Sequence, residues 1–488
     1  MKKILLLILL AVVALPSIAQ QRSEAEAAAI ANAFMQNNGY EFNITKTPKI
    51  NKVRAEKAGE ITPFYIFNDT QKGGYVIVGG QEGMSDILAY SYDECFDTED
   101  TPPAAAAWLE YYAEVAKKAA DYPEESKAEK KAAAKAFLNS NFAKRKSVQP
   151  LLGEIKFNQG DPYNRKCPTL KVVEGGKMKT GKCVVGCSAT AFGMILRYWK
   201  YPDHSTGSKD YTFNYDYNKA NNVTKEYHIS INFDSVGDYN WDKILPTYRS
   251  GTSFTNEEAD AVSKMLYHCG VALGAGYGLG GTGAVTDANK YATYFGYDEN
   301  ISTIHCPSLL DKPNELRAQL ADELSQGRPM LCKGSNSPTE YNGHAYVCDG
   351  YDMNGLFHFN LGWDGSSNGF FEVAPVPGSA YGHQMTAYIN VHPKGRLTPC
   401  EPVRRVIVEA SLGAHNEQTD NIISTLKTLD TDNKYGESLI AIVTADTEEE
   451  AEAYLPGLSK INDGLIIDRC DTLSKTITSK AISQTAMT

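Results

Sequence analysis

Between residues 330 and 373 the chain breaks into four short strand-like runs: Met330-Leu331-Cys332, Ala345-Tyr346-Val347-Cys348, Phe357-His358-Phe359-Asn360 and Gly369-Phe370-Phe371-Glu372-Val373. Turns rich in Gly, Asp and Asn separate them, so successive runs can reverse direction and pair antiparallel. Upstream, apolar residues return at helical spacing near 184–199, 256–269 and 314–326. Helices followed by an antiparallel sheet define an α+β domain, expected over residues 147–397.

Residues 20–146 read as a smaller α+β unit. An alanine-rich helical stretch at 24–35 precedes the strand-like runs Phe64-Tyr65-Ile66-Phe67 and Gly74-Tyr75-Val76-Ile77-Val78. From 102 to 142 the pattern is helical, including the charged stretch 127–135, and it ends in the basic cluster Lys144-Arg145-Lys146 before Ser147. Such a cluster is either a solvated linker or an exposed, cuttable junction. After Pro399 come aliphatic runs, Val406-Ile407-Val408 and Ser438-Leu439-Ile440-Ala441-Ile442-Val443, and an acidic helical stretch at 446–454. These make residues 398–488 a small α/β accessory domain, loosely thioredoxin-like but without the CxxC that redox chemistry there would need. Three folded units suit a chain of 488 residues.

At the amino terminus Lys2 and Lys3 precede an apolar run from 4 to 13, and Ser17-Ile18-Ala19 offers small residues before Gln20. This is the pattern of a cleaved secretory signal over 1–19, so the mature chain is expected outside the cytoplasm, extracellular or periplasmic. The apolar run is shorter than the ~20 residues a spanning helix needs, and no membrane span is expected. A formal net charge of −11 without a long basic block argues against a nucleic-acid partner. The ten cysteines lack the paired CxxC spacing of a zinc site, so neither a metal nor another cofactor is expected. Their spacing does not fix their pairing; Cys167 with Cys183 is one option.

One cysteine has a chemically suggestive setting. Gly186-Cys187-Ser188-Ala189-Thr190-Ala191-Phe192 opens a helix whose apolar positions Ala191, Met194, Ile195 and Tyr198 recur at helical spacing. Unpaired N–H groups and the dipole at a helix N-terminus favour an anion, hence a nucleophilic thiolate. A cysteine among small residues is equally a packed core residue. His344, in Asn342-Gly343-His344-Ala345-Tyr346-Val347, stands at the mouth of a strand, as a general base or as a structural histidine. Asn360 precedes Leu361-Gly362-Trp363-Asp364-Gly365; its amide oxygen can hold an imidazole N–H, and Trp363 can shield that bond or simply be core. In the turn-rich Asn158-Gln159-Gly160-Asp161-Pro162-Tyr163-Asn164, the Gln159 amide can donate to a developing oxyanion.

Taken together these stretches, with Tyr239-Asn240-Trp241 and Ile244-Leu245-Pro246-Thr247-Tyr248, resemble the streptopain family of secreted bacterial cysteine peptidases, in order from about residue 62 to about residue 395. The resemblance implies a papain-like peptidase domain with Cys187 as nucleophile, His344 as general base and acid, Gln159 in the oxyanion hole beside the Cys187 N–H, and Asn360 orienting His344. It implies a zymogen: Gly74 to Gly80 and Ile87-Leu88-Ala89-Tyr90-Ser91 look like the family's propeptide, an intramolecular inhibitor released near Lys146-Ser147. Proteins or peptides are then the substrates, and the glycine-rich loop 274–283 with Gly281 and Thr282, together with Gly343 and Trp363, lines the cleft. Leu361 departs from the family pattern, which has a tryptophan there. The alternatives are a catalytically silent papain-like binding module and a Cys-His amidase or acyltransferase acting on a non-protein substrate.

Overall fold

A computed structural model describes residues 21–45, 52–121, 142–306, 312–334, 343–373 and 385–395, short pieces of 131–140, and four strands beyond 398. The expected signal, much of the charged stretch 127–135 and the acidic stretch 446–454 lie outside the described residues. Residues 1–398 and 399–488 are separate compact units. In the second, strands Val408–Ser411, Leu439–Thr444 and Leu465–Asp471 run parallel, and Thr476–Lys480 pairs antiparallel with the last.

The first unit is organised by one nine-stranded antiparallel sheet. Its order is Ser302–His305, Thr386–Ile389, Met330–Gly334, His344–Tyr351, Phe357–Asn360, Gly369–Phe371, Ile87–Ser91, Tyr75–Gly79, Phe64–Asn68. All four runs between 330 and 373 are strands, as their turn-separated pattern requires. The sheet does not stop at the boundary between the two expected domains, because Phe370 and Phe371 pair with Tyr90 and Ala89. Three strands from the first 91 residues thus extend the larger domain's sheet.

Side chains alternate across a strand, and His344–Tyr351 uses both faces. Tyr346 and Cys348 enter one core; Ala345 and Val347 enter the other. The first core lies under helices Pro103–Asp121 and Pro313–Leu324, where Trp108 packs on Phe359 and Phe371 with ring centroids 5.3 and 5.5 Å apart. The Tyr112 hydroxyl lies 2.8 Å from the Leu88 carbonyl and 3.0 Å from the Glu372 carbonyl, tying this helix to strand Ile87–Ser91 and to the residue after strand Gly369–Phe371. The second core surrounds helix Cys187–Trp199, packed on helix Asn256–Ala272. A reciprocal Thr255/Glu258 capping box starts the latter helix by satisfying N–H groups that have no partner within the helix.

Eight cysteines, at 95, 167, 183, 187, 269, 306, 332 and 348, are free thiols, so the Cys167–Cys183 option is not taken up. Burial pushes both of those thiols up to about 12.

The second core also holds a buried polar chain. The Ser205 hydroxyl lies 2.9 Å from the Tyr239 hydroxyl, which lies 2.8 Å from His268 Nδ1. Burial, with the nearby Lys264 charge, lowers the His268 pKa to about 3. An unfolded chain takes up this proton near pH 6.5, whereas the folded one refuses it until about pH 3, so stability falls as pH drops through that window. His268 alone then costs about 2 kcal/mol by pH 5. Urea unfolding at pH 7 and pH 5 should show that loss in the native sequence and a flatter response in His268→Gln.

Candidate active site

Helix Cys187–Trp199 begins at Cys187 because the chain turns sharply just before it. Gly186 has φ 91°, a left-handed conformation that disfavours side chains, and a Cβ there would lie 2.9 Å from the Thr282 carbonyl oxygen. The turn leaves Cys187 half-buried at the helix N-terminus, whereas the next nine residues are all buried. The unpaired N–H groups of the first turn surround it. Val184 and Val185, expected within the helix, instead precede it and are anchored: Val184 N–H donates to the Gly278 carbonyl and Val185 N–H to the Gln159 carbonyl, at 3.1 and 3.0 Å.

The other site residues converge from four segments. At the start of its strand His344 is half-buried, and the next residue's N–H donates to the Cys187 sulfur at 3.5 Å. Burial holds the His344 imidazole below its ordinary pKa, which favours the neutral base. The Gln159 carbonyl is fixed to the Val185 N–H, two residues before Cys187, and its side-chain amide makes no hydrogen bond among the described residues. The glycine-rich loop closes the far side: Thr282 donates to the Val184 carbonyl at 2.6 Å, and Ser188 meets the Thr286 hydroxyl at 2.9 Å. Gly281 and Gly343 are exposed at this rim, and Trp363 is half-buried against the sheet core.

Asn360 is buried, and both ends of its amide bond backbone groups. Its N–H donates to the Ile155 carbonyl at 2.7 Å, and its oxygen accepts from the Gly362 N–H at 3.3 Å. Backbone register places it opposite Val347, three residues along the strand from His344. Leu361, the departure from the family pattern, is a core residue whose N–H donates to the Asn368 amide oxygen.

The first 100 residues reach this site through an acidic tip. Lys156, buried next to the Gln159 segment, pairs with Glu94 at 2.6 Å and Asp93 at 3.1 Å, and Arg249 adds a 3.0 Å contact to Glu94. Burial works against the Lys156 charge, but the two carboxylates outweigh it and raise its pKa. The tip also docks on the loop after Trp363, where Ser367 N–H donates to the Cys95 carbonyl and Asp97 N–H to the Ser367 hydroxyl.

One group escaped the sequence reading. Asp364 accepts from Asn158 Nδ2 at 2.5 Å and from the Tyr163 hydroxyl at 3.2 Å. All three stand inside motifs already singled out, yet no periodicity signals a pairing between segments about 200 positions apart.

Residues 157–371 match the peptidase C10 family, and residues 19–116 match the Spi protease inhibitor family. Streptopain of Streptococcus pyogenes is 32% identical over 371 residues, covering 74% of this chain and 87% of that protein. A thiol protease/hemagglutinin, PrtT of Porphyromonas gingivalis, is 28% identical over 78% of this chain and 42% of its own length. Among solved structures, a fragment of Prevotella intermedia prointerpain A superposes with a TM-score of 0.51 at 25% identity, over 71% of this chain and 99% of that fragment.

Proposed function

This chain belongs to the peptidase C10 family, as a cysteine endopeptidase bearing an inhibitor-like propeptide domain, and we propose that Cys187 is its nucleophile and His344 its general base and acid. The observation that carries the assignment is the meeting of a half-buried helix-start cysteine with the His344 strand, at 3.5 Å from the Ala345 N–H. His344 takes the Cys187 proton, and the thiolate attacks the peptide carbonyl carbon, moving the π electrons onto oxygen. The Cys187 N–H and the Gln159 amide donate to that oxyanion. Collapse of the tetrahedral adduct breaks the C–N bond as His344 protonates the leaving amine; water, deprotonated by His344, then cleaves the thioester and restores the thiol. In this reading Asn360, opposite Val347 on the neighbouring strand and fixed through its N–H to the Ile155 carbonyl, orients the His344 imidazole. Gly281, Thr282, Gly343 and Trp363 line the cleft.

The domain limits follow the same reading: signal 1–19, propeptide 20–146, peptidase 147–397, accessory domain 398–488. Lys144, Lys146 and Ser147 are exposed between two anchored points, Phe142 packed on Tyr351 and Phe357, and Val148 paired with Tyr351. A cut there leaves residues 148–151 bonded to Tyr351 and Asp349 on the peptidase side. Export through the signal delivers the zymogen outside the cytoplasm. Of the eight free cysteines above, only Cys95 and Cys187 are not buried. Iodoacetamide is therefore expected to abolish casein hydrolysis in step with mass-mapped alkylation at Cys187 in the matured protein; full activity with Cys187 stoichiometrically alkylated would refute the assignment.

A further inference from the structure

We infer that Asp364 is a positioning residue for the oxyanion site, holding Gln159 in register beside Cys187; this rests on the nucleophile and oxyanion roles proposed above. The connection is continuous. Asp364 Oδ2 accepts from Asn158 Nδ2 at 2.5 Å, and Asn158 Oδ1 accepts from the Gln159 N–H at 2.6 Å. The Gln159 carbonyl accepts from the Val185 N–H at 3.0 Å, two residues before the nucleophile. On the other side Asp364 Oδ1 accepts from the Tyr163 hydroxyl at 3.2 Å, and the Asp364 N–H donates to the Phe157 carbonyl at 3.0 Å. One residue therefore grips the Gln159 segment at three points: Phe157, Asn158 and Tyr163.

The backbone at Asp364 indicates what the carboxylate does. Its φ is 53°, the left-handed region where glycine is at ease and other residues are strained. Asp and Asn tolerate this region better than most, but a side chain is retained at some conformational cost. Here that side chain supplies two acceptors to one loop. An oxyanion donor acts only if it is already in place when charge develops, so a shift of the Gln159 loop lowers turnover more than substrate affinity.

Two variants separate the carboxylate from the backbone strain. Asp364→Gly removes both acceptors while relaxing the φ, whereas Asp364→Asn keeps one acceptor for Asn158 and fits the same φ. With the enzyme matured from the full chain and a fluorogenic peptide amide, Asp364→Gly is expected to lose at least tenfold in kcat with KM within twofold. Asp364→Asn should recover to within about threefold of the native enzyme. Iodoacetamide alkylation of Cys187, which forms no oxyanion, should stay within twofold in both. The inference is overturned if Asp364→Gly keeps kcat within threefold, if its loss lies in KM, if Asp364→Asn is as impaired as Asp364→Gly, or if alkylation slows in parallel with turnover. Failure of the underlying site reading looks different, since Cys187→Ala would then retain peptide hydrolysis.

Discussion

Cys187→Ala should lower casein hydrolysis by ~10,000-fold or more, a barrier increase of about 5.5 kcal/mol, while leaving the fold intact. The loss is large because the sulfur supplies the bond that divides amide hydrolysis into two steps, and a methyl group cannot form it. Folding should be spared: Ala189 and Ala191 already occupy this helix, and alanine is a better helix former than cysteine. Expressing the full chain with and without the substitution, and following both size and casein cleavage, checks the expectation. If maturation is the chain's own act, the variant stays full-length; trimming by an added protease near Lys146 should then release a protein that remains inert. Activity within tenfold of the native enzyme would remove Cys187 from the mechanism.

The second large effect lies in the propeptide. Trp108→Ala should weaken docking of helix Pro103–Asp121 by about 3–5 kcal/mol, the usual cost of emptying a large aromatic site in a core. Trp108 is 1% exposed and packs against Phe359 and Phe371 of the peptidase sheet as well as Tyr111 and Tyr112 of its own helix. The lost contacts belong largely to the zymogen, so the matured peptidase, lacking residue 108, is unaffected. The expected results are a lower unfolding midpoint for the zymogen and faster clipping near residues 146–147, followed by gel, with unchanged specific activity after maturation. A Trp108→Ala zymogen as stable and as slowly processed as the native one would exclude the helix as the principal clamp. The ion pairs of Lys156 with Asp93 and Glu94 add a second hold.

Local chemistry made much of this legible in the sequence. The strands between 330 and 373 followed from short apolar runs with turn residues between them, and the helix at Cys187 from apolar positions at helical spacing. Both are short-range signals, set by steric and hydrogen-bond preferences within a few residues. The partner of the Asn360 N–H was not legible in this way. An asparagine can donate or accept in any direction, and here the Ile155 carbonyl, 205 positions away in the chain, claims its N–H. The joining of propeptide and peptidase into one sheet was equally hidden, because an edge strand does not encode which distant strand will cover its free N–H and C=O groups.

Short-range patterns picked out the residues able to do chemistry: a cysteine at a helix start, a histidine at a strand mouth and a glutamine in a turn, each in a motif resembling a known peptidase family. How their segments are tied together came from the fold. It put the His344 strand against the Cys187 sulfur, turned Asn360 toward Ile155 and made Asp364 the tie to the Gln159 loop. The difference is one of range. Spacing along the chain reports the faces of single elements, whereas a reactive site depends on hydrogen bonds and close packing between segments whose separation in sequence carries no signal of contact.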